Sequence, residues 1–186
     1  MSATLSKLSE PSASRDRDIL RFIGLKDTQP SDDLEISGLL LQSFTLTNRK
    51  KLPNIQTDDN RIIELLSIQE RRNHGIVRAI ELGRRLVGTY SLLRPYSAGN
   101  QSKLPESAHL RCVAIDVDFQ GLGLGDVLLQ DAIEIAKRWE APSVTLEVFS
   151  GAFGLNKFYT RHGFERCPQG DYQKGAYLLE AYILIL

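Results

Sequence analysis

Three glycines at alternate positions, Gly121, Gly123 and Gly125, sit between a run of strand-forming residues and an amphipathic run. His109 to Val117 is rich in residues that favour an extended chain and reads as a strand. From Asp126 to Trp139, Leu128, Leu129, Ala132, Ile133, Ala136 and Trp139 share one helical face, while Asp131, Glu134, Lys137 and Arg138 share the other. A strand, a glycine-rich turn and a helix in that order restrict the fold to one in which the helix packs back on a sheet. Glycines without Cβ atoms let the backbone approach a ligand closely. The first helical amides lack intrahelical partners and lie at the positive end of the helix dipole, so the loop reads as an anion site.

Spacing narrows the anion. A dinucleotide loop requires G-x-G-x-x-G, and glycine at 121, 123 and 125 misplaces the third member. A Walker loop requires G-x-x-x-x-G-K-[ST], but Asp126 follows Gly121 by five residues and no lysine is present. The pattern that does match is Gln-x-x-Gly-x-Gly at Gln120, Gly123 and Gly125, which resembles the pyrophosphate loop of the GCN5-related N-acetyltransferase (GNAT) superfamily. Upstream, Arg111-Cys-Val-Ala-Ile-Asp-Val117 is similar to that family's strand for the acyl-pantetheine arm. Downstream, Leu155-Asn-Lys-Phe-Tyr-Thr-Arg-His-Gly-Phe164 is similar to its helix ending in Phe-Tyr and Gly-Phe. The resemblance covers residues 18 to 186.

The resemblance implies an α/β (α+β) fold with a mixed, mostly antiparallel twisted sheet flanked by helices. It implies acetyl-CoA as cosubstrate, without a metal, and direct acetyl transfer to an acceptor amine, that of a small molecule, a protein or an aminoacyl-tRNA. Val113, Ala114 and Ile115 would meet the acetyl and pantetheine portions through their backbone. Gln120, Gly121, Leu122, Gly123, Leu124, Gly125 and Asp126 would wrap the pyrophosphate. Two positions depart from the family pattern. Asp126 brings a carboxylate to the first helical turn, beside the expected phosphate, and Ala152 stands where many members carry an asparagine.

The rest of the chain fits one domain from residue 18 to 186, with residues 1–17 as a flexible, serine-rich tail. A strand over 18–25 leads to a breaker-rich segment and a helix capped by Ser31 or Asp32 that runs to Phe44. Residues 45–56 read as a loop, and Ile62, Ile63, Leu65, Leu66 and Ile68 as part of a second helix. Ile76–Leu82 and Leu86–Leu93 flank Gly83-Arg-Arg85 as a hairpin, followed by a long loop over 94–108. Val144–Phe149 reads as a strand, Ala152–Arg161 as a short helix ended by Gly163, and Tyr177–Leu186 as a last strand paired with one beginning near Phe164.

Composition excludes several classes. Lys plus Arg and Asp plus Glu number 23 each, so the overall charge does not recommend a nucleic-acid or membrane-surface protein. The clusters Asn48-Arg49-Lys50-Lys51 and Arg71-Arg72 read as solvated surface. Two cysteines, Cys112 and Cys167, are too few for a disulfide framework and fit a cytoplasmic setting. The longest apolar stretch falls short of the roughly 20 residues of a membrane helix. The partners expected are acetyl-CoA and an amine, with no membrane. Aminoacyl-tRNA and self-association into a homodimer stay open.

Transfer from a thioester to an amine needs a base for the amine proton and an acid for the departing thiolate. Tyr159, after Phe158, is the expected acid. His109, at the start of the central strand, is the expected base, since an imidazole is matched to neutral pH. Glu81 and Glu147 are further strand carboxylates, while His74 and His162 read as loop and helix-end residues. Strict alternation puts Cys112 on the face opposite His109, which disfavours a Cys–His nucleophile. A CoA-binding regulatory module without catalysis is the alternative, and a plain interaction domain with an empty loop a third reading.

Overall fold

The computed structural model describes residues 22–51, 65–175 and 177–186. The order of elements is β1 (Ile23–Asp27), α1 (Asp33–Lys51), α2 (Leu65–His74), β2 (Gly75–Leu82), β3 (Arg85–Leu93) and β4 (Ala108–Ile115). These are followed by α3 (Leu124–Arg138), β5 (Ser143–Phe149), α4 (Phe153–Arg161), β6 (Glu165–Arg166), β7 (Tyr172–Lys174) and β8 (Tyr177–Ile185). The strands form one mixed sheet in the order β1-β2-β3-β4-β5-β8-β6, with β7 also paired to β8. Every pairing is antiparallel except β4 with β5.

The helices cover both faces. On one, Leu128, Leu129, Ala132 and Ala136 of α3 and Tyr159 of α4 bury against Val87, Leu92, Leu110, Val144 and Leu146 of the sheet. On the other, Ile36 and Leu40 of α1 and Ile68 of α2 pack on Val77, Ala79, Leu86 and Ala114. Strand alternation sends successive side chains to opposite faces, which is why β4 and β5 carry apolar residues toward α3 and polar ones, His109, Thr145 and Glu147, toward α1 and α2. The face toward α3 is fastened by a buried polar cluster. The Tyr90 hydroxyl donates to Asp131 Oδ2 at 2.5 Å and Arg78 Nη1 donates to Asp131 Oδ1 at 2.7 Å.

Several boundaries differ from the sequence expectation. The described part of the first strand is Ile23–Asp27, so Lys26 and Asp27 extend it beyond Leu25, while residues 18–21 and the tail 1–17 lie outside the described residues. Register with β2 explains the extension, since Asp27 stands opposite Arg78 and pairs with its Nε at 2.9 Å. The first helix does not stop at Phe44 but continues to Lys51. Residues 45–51 contain neither Gly nor Pro to stop the helix. The acidic side chain near its start works backwards from the expected cap: Gln29 N–H donates to Asp32 Oδ2 at 2.8 Å. Of the second helix, Ile62 and Ile63 lie outside the described residues, and His74 closes it rather than lying in a loop. Strand β7 was not expected at all.

Candidate active site

The parallel pairing of β4 with β5 is brief. Ala108 pairs with Val144 and His109 with Thr145, and no pairing follows. Beyond that point β4 carries a bulge: its register against β3 shifts between Thr89 and Ser91, and Cys112 adopts φ 55°. A bulge bends its strand and increases twist, so β4 turns away from β5 and leaves a V-shaped opening in the middle of the sheet. Two adjoining clefts of about 370 and 460 Å³ occupy it, and Phe44, Val113, Leu155 and Tyr159 line both. The bulge also corrects the expected alternation. Cys112 packs with Ala114 on the α1/α2 side, the side of His109, yet among the described residues no hydrogen bond joins the two.

The larger cleft runs from the bulge to the glycine loop. Val113, Ala114, Ile115, Gln120, Gly121, Gly123, Leu124, Gly125 and Asp126 line it, whereas Leu122 packs on the core instead. Gly121 (φ 85°) and Gly123 (φ 81°) occupy the left-handed region, which other residues adopt only with strain. Gly123 is the N-cap of α3, which starts at Leu124, two residues before the sequence suggests. The loop therefore turns sharply and presents the amides of the first helical turn to the cleft. The exposed Gln120 side chain donates from Nε2 to Ile115 O at 3.2 Å. A Cβ on Gly125 would lie 3.4 Å from the Phe158 ring, which places α4 in van der Waals contact with the loop.

The carboxylate of Asp126, the first departure from the family pattern, is engaged rather than facing the loop unpaired. Arg161 Nη2 lies 2.9 Å and His162 Nε2 2.8 Å from its Oδ1. Arg161 also lines this cleft, so the pairing parks a cation beside the expected anion site. The second departure, Ala152, is the residue before α4 and contributes no side-chain cap.

The smaller cleft lies on the other side of Tyr159. Tyr159 is only 6% exposed. Burial pushes its phenol above the ordinary value, so it holds its proton throughout the neutral range. Among the described residues none hydrogen-bonds its hydroxyl, and its ring meets Phe158 and Phe164 edge-on, with centroids 5.1 and 5.7 Å away. His109 lines neither cleft. Its side chain is 2% exposed, and its Nε2 lies 2.8 Å from Oε2 of Glu147, which is 9% exposed and does line the smaller cleft. His109 Nδ1 is buried without a partner among the described residues. The tautomer that carries the proton on Nε2 donates to Glu147 and avoids an orphaned Nδ1–H. Sequence reading named Glu147 only among several strand carboxylates; the β5 register against β4 is what joins it to His109.

Comparison with known proteins agrees with this geometry. The model of the acetyltransferase (GNAT) family matches residues 17–164, and the chain belongs to that family. It is an acyltransferase by that membership. No curated protein matches its sequence. Among solved structures, a GNAT-family acetyltransferase from Staphylococcus aureus Mu50 superposes with a TM-score of 0.66 at 20% identity, over 88% of this chain and 99% of that one. PaiA N-acetyltransferase from Thermoplasma acidophilum, solved in complex with coenzyme A, gives 0.66 at 15% identity over 86% and 97%. The ribosomal-protein-S18-alanine N-acetyltransferase from Escherichia coli gives 0.64 at 12% identity over 88% and 93%. At such identities the likeness is one of fold. Among the described residues no helix is long and apolar enough to cross a membrane, and no group of three or more His, Cys, Asp or Glu could hold a metal ion. Both cysteines are free thiols.

Proposed function

We propose that the chain transfers an acetyl group from acetyl-CoA directly to an amine, with the donor in the larger cleft and the acceptor in the smaller one. The observation that carries this reading is the place of Tyr159, which lines both clefts where β4 and β5 part. A loop with two left-handed glycines before a helix N-terminus suits a pyrophosphate. The β4 edge beyond His109 has no strand partner from β5, which leaves the backbone of Val113, Ala114 and Ile115 available to the pantetheine arm. The free thiols and the use of acetyl-CoA fit a cytoplasmic protein.

In this reading the acceptor nitrogen attacks the thioester carbonyl, forming the C–N bond. Glu147 takes the proton the amine loses. His109, behind it, is a positioning residue that holds the carboxylate through Nε2–H. This reassigns the role expected of His109, because Glu147 is the member of the pair that reaches the cleft. As the intermediate collapses, the C–S bond breaks and Tyr159 protonates the departing thiolate, giving free CoA and the amide. Release of CoA thiol that depends on both acetyl-CoA and an amine tests the reading. Binding of acetyl-CoA without any thiol release would support a regulatory module instead.

A further inference from the structure

The walls of the acceptor cleft are not electrically balanced. Arg71, Arg111 and Lys174 line it, and Glu147 is its sole carboxylate among the described residues. Several guanidinium groups packed on the fold meet a carboxylate, whereas Arg71, like Arg111, meets none among the described residues. Arg72 pairs with Asp33, Arg78 with Asp131, Arg85 with Asp116 and Arg166 with Asp171. Among the described residues Arg71 has only hydroxyl partners: Nε donates to Ser91 Oγ at 3.1 Å and Nη1 to Ser67 Oγ at 3.3 Å. Its Nη2 is buried and has no hydrogen-bond partner among them. A guanidinium desolvated without a carboxylate is costly, and a buried donor left unpaired adds to that cost. A ligand oxyanion would satisfy both.

We propose that the acceptor is a small amine bearing a carboxylate, an amino acid in the chemical sense, and that Arg71 binds that carboxylate. This rests on the acetyl-transfer reading above and names its substrate class. Arg71 is anchored on β3 through Ser91, and Glu147 stands on β5, with β4 between them. The opening where β4 leaves β5 widens that span beyond two strand spacings, and the two side chains with one small zwitterion close it, its amine toward Glu147 and its carboxylate toward Arg71. Arg111, whose Nη1 has the neutral Gln101 Oε1 at 3.3 Å as its partner, strengthens the positive end. Three cations against one acid disfavour a polyamine. A peptide N-terminus offers an amide where Arg71 awaits a charge.

The test compares matched acceptors by thiol release: an L-amino acid, its methyl ester and the amine lacking the carboxyl group, with phosphoethanolamine as a phosphate-bearing arm. The parent should favour the free acid in kcat/KM by roughly 10²-fold or more. Arg71→Met should collapse that ratio through the KM of the acid, and Arg71→Lys should keep part of it. Equal use of ester or amine, preference for phosphoethanolamine, no release with any carboxylate-bearing amine, or an unchanged ratio in Arg71→Met would overturn the proposal. Thermal shifts separate this from failure of the acetyl-transfer reading. The latter fails if acetyl-CoA does not raise the melting temperature of the parent. The carboxylate proposal fails if the amino acids raise it no more than their esters do.

Discussion

Nε2 of His109 lies 2.8 Å from Oε2 of Glu147, joining β4 to β5 at the last point where the two strands remain side by side. The pair brings a carboxylate to the smaller cleft and hides the imidazole behind it. Glu147→Gln keeps size and packing, so turnover should fall roughly 10²-fold or more while acetyl-CoA affinity stays within about twofold. His109→Gln, which can still donate to the carboxylate, should retain more activity than His109→Ala. Steady-state kinetics on the three variants check the order. A Glu147→Gln enzyme as fast as the parent would return the base to water or to another group.

Tyr159 keeps its proton because burial disfavours the phenolate, which places its ionisation above the ordinary value of 10.0. A raised phenol value means the acid form persists as pH climbs through the neutral and mildly alkaline range. Tyr159→Phe should therefore lower turnover roughly 10²-fold, by a factor that stays constant between about pH 6 and pH 9. Parallel rate profiles of parent and variant check this. A deficit that vanishes toward pH 9 would mean that Tyr159 loses its proton within the working range.

Asp126 pairs with Arg161 in the lining of the larger cleft, where both side chains are exposed. Removing the carboxylate with Asp126→Asn should free the guanidinium for a phosphate and tighten acetyl-CoA binding by roughly threefold at low salt. Arg161→Ala should weaken it by a similar factor. Calorimetric titration at two ionic strengths distinguishes these charge effects, which shrink with salt, from changes in shape, which do not.

Much of this arrangement was legible in the chain itself. The spacing of Gly121, Gly123 and Gly125 before the Leu128/Leu129/Ala132/Ile133/Ala136 face identified both the loop and the helix, because local backbone demands and helical periodicity act over a few residues. The hairpin around Gly83 and the placement of Tyr159 on a short helix were readable for the same reason. The bulge at Cys112 was not, since it depends on how β3 and β4 pair, and it undid the simple alternation used to separate Cys112 from His109. The His109–Glu147 and Asp126–Arg161 contacts were hidden too, because each joins residues more than 30 positions apart. Arg71 looked like half of a surface Arg-Arg cluster. Only the partners of its neighbour, Arg72, show that one of the pair is structural and the other faces the cleft.

Binding of acetyl-CoA by the Gln120–Asp126 loop is read in the melting temperature of the parent and of Gly123→Glu as acetyl-CoA is added. At 100 times the dissociation constant, acetyl-CoA should stabilise the parent by about 2.7 kcal/mol, while NAD and ATP at the same concentration should give no comparable shift. Gly123→Glu adds a side chain at a left-handed position, which should lower the melting temperature of the unliganded variant, and a negative charge beside the loop amides, which should remove the shift on adding acetyl-CoA. A parent that acetyl-CoA leaves unchanged, or a Gly123→Glu variant stabilised as strongly as the parent, would contradict the claim.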